Sequence, residues 1–301
     1  MLIPDIYIAA IITSALSLTV IGVILFLRSP KEQRPTLSWL FLVMLPMNAL
    51  AFHWVRMPLN EWLSSALGKQ AVEYQFIQTL YAPLTEEPAK LWPLLIPFFY
   101  HRMKSIPVHR VALAIGLGFG VGEAWTIASL LSKSPEISQY PWYFFVGYTN
   151  ERTMVCIMHS AFTASALSLI FKHKLVAYGL LACMLLHFLG NLPIFLAGKN
   201  VFRLGAPTWQ IMVQLWVVFY FLLMGAFLAY LTYENRWFKK LFRGTVRCPE
   251  CQQLYEHRLF GINLLHKRYE KCLHCKNWHF VSVFDEENKY REDVLSKANE
   301  D

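Results

Sequence analysis

Long apolar stretches separated by short polar connections run through most of the chain. A helix needs about 20 residues to cross the hydrocarbon core of a bilayer. The pattern predicts about seven transmembrane helices, at residues 5–27, 36–54, 80–100, 109–131, 152–171, 175–197 and 208–233. The stretch 55–79 has no long apolar run and is expected to be an interfacial or short helical segment. The predicted fold class is therefore an all-α polytopic membrane protein, followed by a small β-rich module.

Composition and charge favour the same class. Of the 301 residues, 55% are hydrophobic and 16% are charged, whereas roughly 25% are charged in soluble domains. The net charge of +8 does not indicate a nucleic-acid partner, because the basic residues stand beside the apolar segments. They are concentrated after the first, third, fifth and last spans, which predicts an outer N-terminus and a cytoplasmic C-terminus. The first apolar segment has no basic leader and is interpreted as a membrane helix. We expect a multi-pass protein of the cytoplasmic or plasma membrane.

Two adjacent glutamates, Glu86 and Glu87, lie inside the third apolar stretch. An ionisable side chain in the hydrocarbon core costs roughly 3 kcal/mol or more, so it persists where it is paired or functional. On a helix, Lys90 lies within reach of either glutamate and can neutralise one of them. The other carboxylate is then left without compensation.

Other polar residues are predicted at the same depth as Glu86. At 1.5 Å per residue, all of them lie about 9 to 15 Å below the outer surface of the membrane. They are Glu123, His159, His187 and Asn191. Each one alone also fits a packed residue that is hydrogen-bonded to a neighbouring helix. Their coincidence on several helices favours a polar cavity.

The fourth span contains the glycines of G-L-G-F-G-V-G, at Gly116, Gly118, Gly120 and Gly122. A nucleotide-binding loop is excluded because the glycines do not lie between a strand and a helix. Small residues four apart allow helices to approach closely, which would bring Glu123 against a neighbouring helix.

The cavity has the residue types that peptide-bond hydrolysis requires. A desolvated glutamate is a suitable base for water, a histidine can relay the proton, and an asparagine can donate to the oxyanion.

The polar residues form an ordered set of short motifs: E-E-x-x-K from Glu86 to Lys90, F-x-x-x-E from Phe119 to Glu123, His159, and H-x-x-x-N from His187 to Asn191. This set resembles the PrsW-like branch of the CPBP (Abi/CAAX-protease-like) family of glutamic intramembrane proteases. The resemblance covers about residues 80–193.

The resemblance implies that Glu86 activates water with His187 as its partner, while Glu87 and Lys90 order the site. His159 and Asn191 would orient the substrate carbonyl or stabilise the oxyanion. The F-x-x-x-H motif of the prenyl-protein protease branch ends here in Glu123, whose role, as a second acid or a metal ligand, stays open. The expected activity is cleavage of a membrane-anchored protein or peptide near the outer face.

Three alternatives remain. Two histidines and two glutamates could hold a catalytic zinc or iron ion, although the chain has no H-E-x-x-H motif. Buried acids and histidines also form proton relays in ion-coupled transporters, although the chain shows no convincing internal repeat. The third alternative is a non-catalytic receptor or scaffold that holds a peptide.

Two C-x-x-C pairs, Cys248 with Cys251 and Cys272 with Cys275, have spacing close to that of a four-thiolate zinc ribbon. Two disulfides are the alternative, which a cytoplasmic location disfavours. We expect a structural zinc ion and a module that docks a cytoplasmic partner or adds stability.

The predicted organisation has three parts. Residues 1–235 form the transmembrane domain, 236–284 the zinc-ribbon-like module and 285–301 a mobile acidic tail. The isolated Cys156 and Cys183 are expected to be small core residues.

Overall fold

The computed structural model describes residues 4–27, 29–173, 176–200, 204–234, 245–256, 261–264 and 267–282. The chain divides into two compact units, Met1–Leu228 and Ala229–Asp301. The predicted acidic tail, 285–301, lies outside the described residues.

The N-terminal unit begins with helices that are widened or broken at several points. Helix α1 (Ile6–Ser17) continues as a wider π-type helix over Leu18–Leu27. The second apolar stretch is divided at Pro46, whose ring and missing N–H interrupt the helical hydrogen bonds. Its parts are α2 (Arg34–Met44), α3 (Met47–Leu50), a π-type segment (Ala51–Arg56) and α4 (Met57–Leu67).

The helices that follow are longer, except for α6. They are α5 (Val72–Leu91), α6 (Pro97–Lys104), α7 (Val108–Leu131), α8 (Val146–His173), α9 (Val176–Gly198) and α10 (Ala206–Glu234). Short 3₁₀ turns precede α6 at Trp92–Leu95 and α8 at Trp142–Phe145.

The third predicted span, 80–100, is not one continuous helix. Helix α5 begins earlier, at Val72, and ends at Leu91, and a 3₁₀ turn then leads into α6 at Pro97. Pro93 and Pro97 explain the break, since proline cannot donate the backbone hydrogen bond that continues a helix. The stretch 55–79, expected to be interfacial or a short helical segment, forms α4 and the first turns of α5.

Helix α7 lies at the centre of the unit because its glycines admit other backbones. A Cβ atom on Gly116 would lie 2.3 Å from the backbone nitrogen of Ser160 in α8. On the other side of α7, a Cβ atom on Gly122 would lie 1.9 Å from the carbonyl oxygen of Leu45. The glycines therefore pack α7 against α8 on one side and against the end of α2 on the other.

Six helical stretches among the described residues, compared with seven predicted spans, are long and apolar enough to cross a membrane. The second of them runs through α2, α3 and α4, from Arg34 to Leu67, and the third predicted span, now α5 and α6, is not one of the six. Most of α7 is buried, whereas most of α9 and α10 is not. The outward faces of α9 and α10 are nevertheless apolar, with exposed side chains that include Leu181, Leu185, Leu215 and Leu222. Such continuous apolar surface suits lipid, so the chain is an integral membrane protein.

The described residues of the C-terminal unit form two small antiparallel sheets. Strand β1 (Thr245–Arg247) pairs with β2 (Leu254–Glu256). Strand β4 (Lys267–Lys271) pairs with both β3 (Gly261–Leu264) and β5 (Trp278–Ser282). A β-rich module therefore follows the helices, as predicted.

Candidate active site and cysteine cluster

Helix α5 places Glu86, Glu87 and Lys90 inside the N-terminal unit, where the three side chains are almost completely buried. Lys90 Nζ donates to Glu87 Oε1 at 2.6 Å, so the lysine neutralises the second glutamate of the pair. The structure therefore distinguishes two neighbours that the sequence left equivalent.

Glu87 also holds the histidine of α9. His187 Nδ1 lies 2.6 Å from Glu87 Oε1. A carboxylate only accepts hydrogen bonds, so Nδ1 carries the proton and donates it. The other ring nitrogen, Nε2, is then the acceptor of the neutral ring.

His159 of α8 joins this pair to Glu123 of α7. Lys90 Nζ lies 2.9 Å from His159 Nδ1, and His159 Nε2 lies 2.7 Å from Glu123 Oε2. A lysine ammonium only donates, so Nδ1 accepts and Nε2–H donates to Glu123. Both ring nitrogens of His159 are thereby engaged within the protein.

Arg152 completes the chain of contacts. Its Nη1 donates to Glu123 Oε1 at 2.8 Å, and its Nη2 donates to Glu151. The network is continuous over four helices, and runs through Arg152, Glu123, His159, Lys90, Glu87 and His187. Phe119 packs against it, with its ring 5.1 Å from that of His159 and 5.2 Å from Lys90 Nζ.

Glu86 stands apart from this network. Its side chain is buried, yet its Oε2 atom has no hydrogen-bond partner among the described residues. The nearest basic groups are His187 Nε2, 3.9 Å from Oε2, and Arg56 Nη1, 3.9 Å from Oε1. An unsatisfied buried carboxylate is costly, so it marks a place where a ligand or water is expected.

Glu86 opens onto a cavity of about 350 Å³. Five of the predicted site residues line it: Glu86, Glu123, His159, His187 and Asn191. Arg56, Arg152 and Tyr220 also line the cavity. Glu87, Lys90 and Phe119 are not among its lining residues. The site therefore has a cavity face and, behind it, a back wall formed by Glu87, Lys90 and Phe119.

Three residues of the cavity face could hold a metal ion. One potential ligand atom from each of Glu86, His159 and His187 lies within 4.8 Å of the others. Two histidines and a carboxylate form a donor set that suits zinc or iron.

The sequence interpretation missed the two arginines of the cavity. Arg152 lies two helical turns before His159 and hence on the same face of α8. Arg152 is the first residue of the predicted span 152–171, whereas α8 begins at Val146, so the arginine lies inside the helix and not at its end. Arg56 gave no such signal, because it was assigned to a connection outside the membrane.

The four cysteines of the C-terminal unit are gathered at one place. All are free thiols, and their sulfur atoms lie within 4.8 Å of one another. The Sγ atoms of Cys248 and Cys275 lie 3.6 Å apart, and those of Cys251 and Cys272 lie 3.7 Å apart. In a tetrahedral site with metal–sulfur bonds of about 2.3 Å, the sulfur atoms stand about 3.8 Å apart. The cluster therefore could hold a metal ion.

The two C-x-x-C turns have the same backbone conformation. The amide of Cys248 donates to Gln253 O, and that of Cys272 donates to Asn277 O, both at 3.0 Å. The residue after each second cysteine, Gln252 or Lys276, has a positive φ. Backbone amides also approach the first sulfur of each turn, 3.4 Å from Cys248 Sγ and 3.3 Å from Cys272 Sγ. Such amides stabilise thiolates.

Behind the cysteines lies a buried aromatic and histidine pair. The Tyr255 hydroxyl lies 3.0 Å from His279 Nε2, and His279 Nδ1 lies 3.9 Å from Cys248 Sγ. Burial, together with the nearby Glu270, holds the pKa of the Tyr255 hydroxyl well above its usual range. The phenol therefore stays neutral beside the cluster.

No family model, curated protein or solved structure matches this chain. Function is therefore inferred from the geometry of the cavity and of the cysteine cluster.

Proposed function

We propose that the protein is an intramembrane endopeptidase in which Glu86 activates the attacking water. The observation that carries this proposal is the pair formed by Glu86 Oε2 and His187 Nε2. Both residues line the cavity, and the separation of 3.9 Å between the two atoms is too long for a direct hydrogen bond. It suits a water molecule hydrogen-bonded to both.

The reaction follows from these positions. Glu86 removes a proton from the water, and the oxygen attacks the carbonyl carbon of the scissile peptide bond. The tetrahedral intermediate then collapses, the carbon–nitrogen bond breaks, and the proton passes to the leaving amine. The products are a new carboxyl terminus and a new amino terminus, and no cofactor is consumed.

Asn191 is the proposed oxyanion donor. It follows His187 by about one helical turn and lines the same cavity. Its amide group can donate to the developing negative charge, as such groups do in acyl transfer. His159 is less suited to this role than the resemblance implies, because both of its ring nitrogens are engaged by Lys90 and Glu123. We assign it to positioning instead.

The back wall would keep the reacting groups in place. Glu87 fixes the tautomer of His187 and leaves Nε2 directed at the water. Lys90 balances the charge of Glu87, so that Glu86 does not share the site with a second uncompensated carboxylate. Glu123 is ion-paired with Arg152, which favours a supporting role over that of a second acid.

This arrangement agrees with membership of the PrsW-like branch, which we propose on the ordered motifs. The proposed topology keeps seven crossings, with the break between α5 and α6 inside the third. In this topology the cavity lies near the outer face and the C-terminus is cytoplasmic. The proposed substrate is a membrane-anchored protein or peptide. The cleavage products test the substrate and the depth of the cavity. Labelling from either side of the membrane tests the number of crossings and the side of the C-terminus.

The first experiment compares membrane and released proteins in cells that carry the wild type, Glu86→Gln or the control Glu61→Gln. Glu61 is an exposed acid in α4, so its change should leave the cavity intact. A membrane protein that is shortened by the wild type and the control, but not by Glu86→Gln, would identify both the activity and the substrate. Shortening by all three would exclude Glu86 as the base.

A metal-dependent form of the same hydrolysis is the second candidate, favoured by the convergence of Glu86, His159 and His187. Binding of a metal by His159 would require the ring to exchange one of its present partners for the ion. Chelation separates the two mechanisms: activity that survives a chelator in a Cys272→Ser background argues against the metal, and activity restored only by zinc or iron argues for it.

We propose zinc as the metal of the cysteine cluster, in a structural role. Four thiolates in tetrahedral spacing leave no open position for substrate. Cys272→Ser should lower the zinc content of the purified protein from one ion to none and increase amide exchange in residues 245–282. Cleavage lost from a variant that is folded and still binds substrate would contradict a purely structural role.

A further inference from the structure

The β4–β5 hairpin of the C-terminal unit has two unlike faces. Alternate side chains of a strand point to opposite sides. Arg268, Glu270, His279 and Val281 are buried on the inner side, where Val281 packs with the cysteines and His279 approaches Cys248. The other side carries Lys267, Tyr269, Lys271, Trp278 and Phe280, which we call the aromatic–lysine face.

The aromatic rings of this face form a continuous surface. Tyr269 stacks on Trp278, with ring centroids 5.3 Å apart, and lies 4.8 Å from the ring of Phe280. Trp278 is 49% exposed and Phe280 is 52% exposed. Lys267 is exposed and Lys271 is half-buried, and both belong to the strand that carries Tyr269. Two large aromatic side chains thus face outward beside two cations.

The chemistry of the face fits the surface of a lipid bilayer. Trp and Tyr prefer the region between headgroups and acyl chains because their rings are amphipathic. Lysines beside them are attracted to anionic headgroups. The inner face contains no such combination, since its charged residues are buried.

The C-terminal unit is also covalently joined to a membrane helix. Residues 235–244 alone separate the end of α10 from β1. Their sequence, N-R-W-F-K-K-L-F-R-G, repeats the same mixture of basic and aromatic residues. A face that is joined to a membrane helix by so short a segment meets lipid at a high effective concentration.

We infer that the aromatic–lysine face binds the surface of a membrane that contains anionic lipid. This binding site is independent of the proposed protease activity, because none of its residues belongs to the cavity. Nucleic acid and the acidic residues 285–301 are the competing occupants, and both are distinguished by the test.

The test uses the full-length protein in nanodiscs of phosphatidylcholine with or without phosphatidylserine, each with a trace of photoreactive phospholipid. After irradiation, the cross-linked peptides are mapped by mass spectrometry. We expect cross-links within residues 267–282 that increase with phosphatidylserine. In the double variant Lys267→Glu, Lys271→Glu, the yield of these cross-links should fall by about fivefold or more for each lysine that is replaced, since one cation contributes about 1 kcal/mol at an anionic surface. Trp278→Ser with Phe280→Ser should lower them in both lipid compositions.

The matched control is Leu254→Ser with Leu273→Ser, which alters two exposed apolar residues outside the face. It should leave the cross-links unchanged, and every variant should retain the zinc content of the wild type. Equal labelling of the face and of the other exposed surfaces of the C-terminal unit would overturn the inference. So would labelling that appears only after deletion of residues 285–301, or cross-links that an added single-stranded oligonucleotide removes at stoichiometric concentration.

Discussion

The back wall of the membrane site and its cavity face are built from adjacent residues but differ in how their charges are satisfied. On the back wall, Glu87 accepts hydrogen bonds from Lys90 and from His187. On the cavity face, Glu86 leaves a buried oxygen without a partner among the described residues. A satisfied buried ion pair is costly to break, whereas an unsatisfied polar group beside a cavity can bind a water molecule or a ligand. Two neighbouring glutamates thus serve different purposes.

Removing the cation of the back wall should have the largest effect on stability. Lys90→Met leaves Glu87 buried without its counter-charge, which costs about 3–5 kcal/mol. We expect a large fall in the thermal unfolding temperature of the detergent-solubilised protein and a loss of activity with it. Lys104→Met, at an exposed position in α6, is the control. If both variants unfolded at the wild-type temperature, Lys90 would not be structural.

A change on the cavity face should act on rate instead. Asn191→Ala should lower kcat by about 10²–10³ if the amide stabilises the oxyanion, as single donors do elsewhere. The unfolding temperature should stay close to that of the wild type, because Asn191 lines a cavity. Turnover is measured on the substrate found in cells, with the exposed Gln210→Ala as the control. If Asn191→Ala lowered the unfolding temperature as much as Lys90→Met does, the proposed difference between the cavity face and the back wall would be wrong.

The smallest effect is expected at Arg152, which lines the cavity and also belongs to the hydrogen-bonded network that includes the back wall. Arg152 holds Glu123, which in turn holds His159. Arg152→Gln removes charge-assisted hydrogen bonds worth about 1.5–3 kcal/mol, and should affect both stability and kcat moderately. The two are measured together, with the exposed Arg102→Gln as the control. If neither stability nor kcat changed, the functional network would end at Glu123.

The cysteine cluster was predictable because its determinants are local. Two C-x-x-C pairs at ribbon spacing require only two turns and a hairpin, and the structure brings the four sulfur atoms together. The apolar helices were predictable for the same reason, since a single continuous run of apolar residues determines each of them. The third span was placed less accurately, because apolar character alone does not show that Pro93 and Pro97 break the helix.

The membrane site was only partly predictable because it is assembled from four helices. The motifs supplied the residues, but not which glutamate Lys90 would neutralise, since both spacings allow a contact. They also did not show that His159 uses both ring nitrogens within the protein. The sequence did not predict that Arg152 and Arg56 line the cavity, because cations are common at helix ends and in connections, where these two residues were predicted to lie. Such pairings depend on helix packing, which no single stretch encodes.

The most direct test of the proposed mechanism is the rate of substrate cleavage by reconstituted wild type and Glu86→Gln, measured beside their unfolding temperatures. The substituted amide keeps the shape of the Glu86 side chain but cannot accept a proton from water. The account predicts that the rate falls by about 10²–10⁴, while the unfolding temperature stays the same or rises, because a buried unsatisfied carboxylate has been removed. A Glu86→Gln protein that cleaves at the wild-type rate would contradict the account.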